Sequence, residues 1–182
     1  METNTANLYE NNKNKTRVLI ISQSAEIAPL IIHCLTQNGN EVDYVSSDGE
    51  IQDKGNDFII LEKKEISGSE GFQPNIVLLA SEELDASPKA LFNNIIGGGI
   101  LIYSEEDAKL SVTVNECENY FRKIPYRRPE IANDFLKTEL GDVPVMLRQD
   151  AMKYIEGAKL LCQHLGLMEE DFYEAYLSFK VN

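Results

Sequence analysis

Residues 17–45, RVLIISQSAEIAPLIIHCLTQNGNEVDYV, carry the pattern that decides the fold. The β-branched run at its start predicts a strand, and the apolar residues between Glu26 and Asn38 recur at helical spacing. Gly39 follows at the position where helices commonly end in a left-handed residue, and Glu41 to Val45 is typical of a second strand. The stretch therefore predicts a βαβ unit with a right-handed parallel crossover.

The same alternation of strands and helices continues along the chain. Buried-type strands are predicted at Phe58 to Leu61, Ile76 to Leu79 and Ile100 to Tyr103, and a helix is predicted from Pro88 to Ile96. Short extended runs over about 123–147 predict a small β-rich insertion, and helical periodicity returns over about 150–180. We therefore predict an α/β fold with a three-layer, mostly parallel sheet, a small subsidiary sheet and a C-terminal helical pair.

Length and composition favour one principal domain over residues 17–182. The chain has 182 residues, of which 43% are hydrophobic, so it can build one good core but not the several domains of a complete synthetase. The first 16 residues, METNTANLYENNKNKT, are polar and rich in Asn, and we predict a disordered leader over 1–16.

Charge and hydropathy disfavour nucleic acids and membranes as partners. The 30 acidic and 17 basic residues give a net charge of −13, which disfavours nucleic acid as a partner. Apolar runs are too short for a signal sequence or a membrane span, so we expect a cytoplasmic protein without a membrane partner. Cys34, Cys117 and Cys162 lack CxxC spacing and are expected to be free thiols.

The order of segments resembles the central domain of Mur ligases, the ATP-dependent amide ligases of peptidoglycan assembly. The resemblance runs from about Arg17 to Lys180 and is carried by LIIHCL, VDYV, PNIVLL, GGGILIY and, most strongly, GAKLLCQHLGLMEEDFYEAYLSFK. It is greatest for the murein peptide ligase branch, which attaches a tripeptide to UDP-N-acetylmuramate. The resemblance implies the fold of the family's ATP-binding domain. It does not extend to the family's two flanking domains.

The family's phosphate-binding loop has no counterpart in this sequence. Mur ligases hold the phosphates of ATP with a GxxGKT/S loop after the first strand, where backbone amides and a lysine balance the charge. Here the loop reads Ser22-Gln23-Ser24-Ala25-Glu26, with no glycine and no lysine. We therefore predict a degenerate loop and expect no bound cofactor.

Three further motifs of the family are also altered. Glu62 matches a metal-binding glutamate, but Lys63 and Lys64 replace the glycine and aspartate beside it. Asp85 is what is left of a WDH segment. Of the HN-x-x-N signature none remains, because Asp150, Ala151 and Tyr154 occupy its positions. We predict Glu62 and Asp85 as weak remnants of a metal site, and no catalytic residue.

Other kinds of site are less well supported by the residues. Asp43 or Asp48 could end a dinucleotide-binding βαβ unit, but the glycine fingerprint of that unit is missing. A phospho-acceptor receiver domain needs acids directly after the first strand, where Ser22 and Gln23 stand. The acidic runs at 104–107 and 169–171 are expected to stabilise helix N-termini rather than to bind calcium. His33 and His164 are expected to be structural.

Together these patterns favour a stand-alone, non-catalytic Mur-ligase-like domain that serves as an interaction or regulatory module, with an unknown protein as its partner. The alternative is a divergent or partial ATP-dependent peptidoglycan amide ligase, which would require ATP and Mg²⁺. A third possibility is a small-molecule binder that uses the old cleft without recognising phosphate, for which an apolar pocket at the carboxyl ends of the strands is expected.

Overall fold

The computed structural model describes residues 5–180 and is built on a seven-stranded sheet. The strands lie in the order β3-β2-β4-β1-β5-β6-β7, and all neighbours are parallel except β2 and β3. Their bounds are β1 Thr16–Ser22, β2 Asp43–Val45, β3 Ile51–Gln52, β4 Phe58–Lys63, β5 Ile76–Ala80, β6 Gly99–Ser104 and β7 Phe121–Tyr126. The predicted mostly parallel α/β sheet is confirmed.

Helices cover both faces of this sheet. Their bounds are α1 Thr5–Asn12, α2 Ile27–Gln37, α3 Lys89–Asn94, α4 Ala108–Glu116, α5 Gln149–Met152, α6 Ile155–His164 and α7 Glu169–Ser178. Val18 and Ile20 of β1 pack into the core shared with α2, α6 and α7, whereas Leu19 and Ile21 face the core formed with α3 and α4. Because β1 is buried on both faces, its sequence is a continuous apolar run.

The connectivity places β1 between two segments of the chain that follow it. The first βαβ unit runs from β1 through α2 to β2, but β4 is inserted between β1 and β2 in the sheet. On its other side β1 pairs with β5. After β1 the chain continues on one side of this strand, and it later crosses to the other side. The carboxyl end of β1 is therefore a topological switch point, where sheets of this kind usually bind ligands.

The subsidiary sheet is smaller than predicted. Its strands β8 Ile131–Ala132, β9 Phe135–Thr138 and β10 Gly141–Pro144 are antiparallel, and the turn at Asn133 and Asp134 has positive φ at both residues, as tight hairpins require. The prediction of about 123–147 was wrong at its start, because residues 123–126 belong to β7 and pair with β6.

The predicted disordered leader is also corrected. Residues 1–4 lie outside the described part of the chain, but Thr5–Asn12 form α1. The Thr5 hydroxyl donates to the carbonyl of Gly68 at 3.0 Å, and the Arg17 guanidinium donates to the carbonyls of Asn12 and Lys13 while lying over the ring of Tyr9. Apart from Leu8, which packs against the core, these contacts of the helix are polar, so its hydropathy pattern is weak.

The C-terminal helices lie where they were predicted, with a break near Lys153 and Tyr154 that separates α5 from α6. Gly157 allows α6 to approach the sheet closely. A Cβ atom at this position would lie 2.7 Å from Cε1 of Tyr126 and 3.0 Å from Cδ1 of Leu78. The Tyr126 ring is itself fixed, because its hydroxyl donates to the carbonyl of Leu79 at 2.8 Å.

Gly157→Val should therefore lower the free energy of unfolding by about 1–3 kcal/mol through overpacking. Urea denaturation followed by circular dichroism measures this. Gly97→Ala is the matched control, because a Cβ atom there would meet nothing within 4 Å, and its effect should stay within about 0.5 kcal/mol. Equal effects of the two substitutions would contradict close packing at Gly157.

Candidate functional site

The loop between β1 and α2 lies at the switch point and corresponds to the predicted degenerate loop. Ser22, Ser24 and Glu26 are buried, whereas Gln23 and Ala25 are exposed. The amide of Ser24 donates to the Ser22 hydroxyl at 3.1 Å, and the amide of Glu26 donates to the Ser24 hydroxyl at 3.4 Å. Two amides that could otherwise face an anion are thus engaged within the loop.

The first turn of α2 also differs from a phosphate-binding helix N-terminus, and the sequence analysis missed this difference. The four amides at a helix N-terminus have no partner within the helix and are the groups that hold phosphate in nucleotide-binding folds. Here the third helical residue is Pro29, which has no amide hydrogen. The signal was visible as a proline three residues after Glu26. The Glu26 amide already donates to Ser24. In this turn, only the amides of Ile27 and Ala28 remain for an anion.

Glu26 joins the loop to the C-terminal part of the chain. Glu26 is 3% exposed, and its Oε2 accepts a hydrogen bond from the amide of Arg148 at 3.0 Å. The Nε of the same arginine lies 2.8 Å from Oε1 of Glu26. A carboxylate therefore occupies the start of α2. In a phosphate-binding loop this is the position of the phosphate, whose charge a lysine neutralises.

Glu62, the predicted metal remnant, lies at the end of β4 and is nearly buried. Its Oε2 accepts hydrogen bonds from the Tyr44 hydroxyl at 2.5 Å and from the amide of Ser47 at 3.3 Å. Burial, together with this hydrogen bond to Glu62, raises the pKa of Tyr44. These contacts tie the β2–β3 hairpin to β4, which is a structural task for Glu62.

Asp85, the second predicted remnant, has different neighbours. Its carboxylate accepts from the amides of Ile66 at 2.6 Å and Ser67 at 3.2 Å, and from the Ser67 hydroxyl. Burial raises the pKa of Asp85, but the hydrogen bonds outweigh this effect and leave it below its usual value. The carboxylate caps the turn that follows β4. Among residues 5–180, no group of three or more His, Cys, Asp or Glu side chains could hold a metal ion.

A polar cleft of about 340 Å³ opens between the β1–α2 loop and the β2–β3 hairpin. Its lining is dominated by hydroxyls and carboxylates: Ser22, Ser24, Tyr44, Ser46, Ser47, Asp48, Glu50 and Glu62, with Gln23, Ala25 and Lys64. The one lysine of this lining lies 3.7 Å from Asp48. The potential in the cleft is therefore negative, which opposes the binding of a triphosphate. The apolar pocket expected for a small-molecule binder is not what this cleft provides.

A second cavity, also of about 340 Å³, lies beyond the carboxyl ends of β5 and β6. Three ion pairs cross this cavity. Glu82 lies 2.7 Å from Nζ of Lys153 and 2.8 Å from the guanidinium of Arg128. Nε of Arg128 also lies 2.6 Å from Glu106. Tyr154 also lines this cavity. The sequence analysis missed this network, although charged residues directly after buried strands were a visible signal.

The remaining candidate residues have structural roles. Asp107 caps α4 by accepting from the amide of Leu110 at 2.9 Å, as expected for the acidic run at 104–107. Nε2 of His33 lies 3.1 Å from the carbonyl of Ala175 and 2.9 Å from the Ser178 hydroxyl. Burial raises the pKa of the Cys34 thiol to about 12, and all three cysteines are free. Within residues 5–180, the longest apolar helices fall short of what a membrane crossing needs.

Several ligases of known structure share this fold. A UDP-N-acetylmuramate:L-alanyl-gamma-D-glutamyl-meso-diaminopimelate ligase from Neisseria meningitides has a TM-score of 0.72 at 14% sequence identity, over 98% of this chain and 70% of that chain. A murein peptide ligase from Psychrobacter arcticus 273-4 has a TM-score of 0.75 at 11% identity, over 96% and 49%. A folylpolyglutamate synthase/dihydrofolate synthase from Yersinia pestis c092 has a TM-score of 0.60 at 10% identity, over 98% and 62%.

No family model and no curated protein matches the sequence. The structural similarities cover nearly all of this chain, whereas the chain spans only about half of the Psychrobacter ligase. At such low sequence identity they establish the architecture and leave the activity to the residues of the site. The resemblance to Mur ligases is confirmed at this level: the chain has the fold of the Mur ligase central domain.

Proposed function

We propose that this chain is a non-catalytic Mur-ligase-like module that does not bind ATP at the β1–α2 loop and serves an interaction or regulatory role in the cytoplasm. The observation that carries the proposal is the pairing of buried Glu26 with Arg148 at the start of α2. It is supported by Pro29 and by the negative lining of the neighbouring cleft. Each of these features weakens the binding of phosphate at the same end of the sheet.

A second candidate function is a divergent or partial ATP-dependent ligase. It is favoured by the fold shared with several ligases, one of which is complexed with AMPPNP and Mn. The cavity beyond β5 and β6 also offers three cationic side chains, Lys109, Arg128 and Lys153. Because the chain spans 70% and 49% of the two ligases that act on muramate-derived peptides, catalysis would also require further domains or chains.

A titration with Mg-ATP separates the two functions. The non-catalytic module should show no change in melting temperature up to millimolar nucleotide, because the loop lacks the groups that hold phosphate. A ligase should be stabilised by roughly 2.7 kcal/mol at 100 times its dissociation constant. Saturable stabilisation that is lost in Glu62→Gln would overturn our proposal. The glutamine keeps an acceptor for the Tyr44 hydroxyl, so this variant tests charge at the cleft rather than folding.

The interaction role requires a measurement of its own. A module of this kind should co-purify with one protein in a fixed ratio when the tagged full chain is isolated under mild conditions. Recovery of the chain as a single species across several salt concentrations would argue against a stable partner. The high net negative charge of −13 predicts that such a complex weakens as salt is raised, if the partner surface is basic.

A further inference from the structure

Arg148 holds the Glu26 carboxylate as it would hold a small anion. The backbone amide and the guanidinium of this one residue converge on the two oxygens of Glu26, at 3.0 Å and 2.8 Å. Amide hydrogens and guanidinium groups are the common protein donors for carboxylate and phosphate oxygens. The chain therefore contains an assembled anion-recognition point, and its occupant is part of the chain itself.

The hydrogen bonding between Glu26 and Arg148 is incomplete. Although Oε1 of Glu26 lies 2.8 Å from Nε of Arg148, it has no hydrogen-bond partner with good geometry and is shielded from solvent. A buried carboxylate oxygen without a well-directed donor is costly. On the other side, the Arg148 side chain is 63% exposed, so its guanidinium can be reached from solvent. Asp150 also faces this arginine, with its Oδ1 3.4 Å from Nε.

We propose that Glu26 is an internal ligand that occupies the anion-recognition point at Arg148 and thereby excludes phosphate-sized anions from the start of α2. This inference rests on the proposed function and explains how binding is prevented. Removing the charge of Glu26 removes the repulsion of an incoming anion, so that only a neutral side chain competes for the amide and guanidinium of Arg148, next to the amides of Ile27 and Ala28. The exclusion is thus an autoinhibitory contact between two segments 122 residues apart.

Isothermal titration with inorganic pyrophosphate tests this contact on the full chain. Glu26→Gln should bind pyrophosphate at least about tenfold more tightly than the wild-type chain, which corresponds to about 1.4 kcal/mol. Adding Arg148→Gln to this variant should remove the gain. Glu174→Gln is the matched control, because it makes the same charge change at an exposed position of α7, and it should bind like the wild type. Asp150→Asn alone should have a smaller effect than Glu26→Gln.

Two outcomes would overturn the inference. One is unchanged pyrophosphate affinity in a Glu26→Gln protein that has a native circular dichroism spectrum. The other is a gain that persists without Arg148. If the glutamine variant does not fold, Glu26→Ser gives the same comparison with a smaller side chain. Failure of the proposed function is a separate result, because it requires saturable Mg-ATP binding by the wild-type chain.

Discussion

Asp43→Ala should lower the free energy of unfolding by about 3–5 kcal/mol, because it removes a buried carboxylate that pairs with Lys15 and leaves the other donors to this carboxylate without an acceptor. The Asp43 carboxylate is fully buried in β2 and accepts from Nζ of Lys15 at 2.5 Å. It also accepts from the amide of Lys54 at 2.8 Å and from the amide and side chain of Asn56. One side chain thus joins the segment before β1 to the loop before β4. Urea denaturation measures the loss.

Asp53→Ala is the control for this variant. Asp53 also lies near Lys15, at 3.5 Å, but its side chain is 61% exposed. Exposed ion pairs contribute about 0–1 kcal/mol, so this substitution should have a small effect. If both variants lost the same stability, burial of Asp43 would not be the cause.

The same carboxylate predicts a pH dependence of stability. Burial raises the pKa of Asp43, but hydrogen bonds from Lys15, Lys54 and Asn56 outweigh it and lower the pKa to about 2. A lowered folded-state pKa gives stability that is complete above the unfolded pKa, near 4, and is lost as the pH falls through the folded value. Asp43→Asn should therefore lower the free energy of unfolding more at pH 7 than at pH 2. The destabilisation relative to the wild type should be about 2 kcal/mol smaller at pH 2.

Phe172→Ala should cost about 3–5 kcal/mol, because it opens a cavity in the core between the sheet, α2, α6 and α7. Phe172 is fully buried, packs edge-to-face against Tyr173 and has its carbonyl 3.8 Å from the Cys34 sulfur. Thermal unfolding followed at 222 nm and by tyrosine fluorescence should show a single, lower transition, since the C-terminal helices share one core with β1.

Leu177→Ala is the control on the same helix, because Leu177 is 47% exposed, and its effect should be below about 1 kcal/mol. Two separate transitions in Phe172→Ala would contradict the prediction of one domain over residues 17–182. They would indicate that α7 unfolds independently of the sheet.

The main sheet could be predicted from sequence for a physical reason. Strands such as β1 and β5 are buried on both faces, so burial alone requires the continuous apolar runs VLII and IVLLA. The amphipathic pattern of α2 follows equally from its position over the sheet. Strand β3, with Ile51 exposed at the sheet edge, has no such requirement and was missed.

The candidate site was only partly predictable. The absence of glycine and lysine from Ser22 to Glu26 can be read directly from the sequence, because a phosphate loop needs glycines for its backbone geometry and a lysine for its charge. The pairing of Glu26 with Arg148 is not visible, since it depends on how two segments far apart in sequence meet. Glu62 and Asp85 illustrate the same limit: each is held by neighbours that the tertiary fold supplies.

Pro29 affects anion binding at the start of α2 independently of the loop sequence. A glycine-rich loop grafted in place of residues 22–26 would restore flexible backbone and a lysine, yet the helix behind it would still present a gap where a hydrogen-bond donor belongs. Under the proposed function, phosphate binding at this end of the sheet would need substitutions both in the loop and at Pro29. In structural terms the proline limits how many backbone donors the start of α2 can present, whatever the sequence of the loop before it.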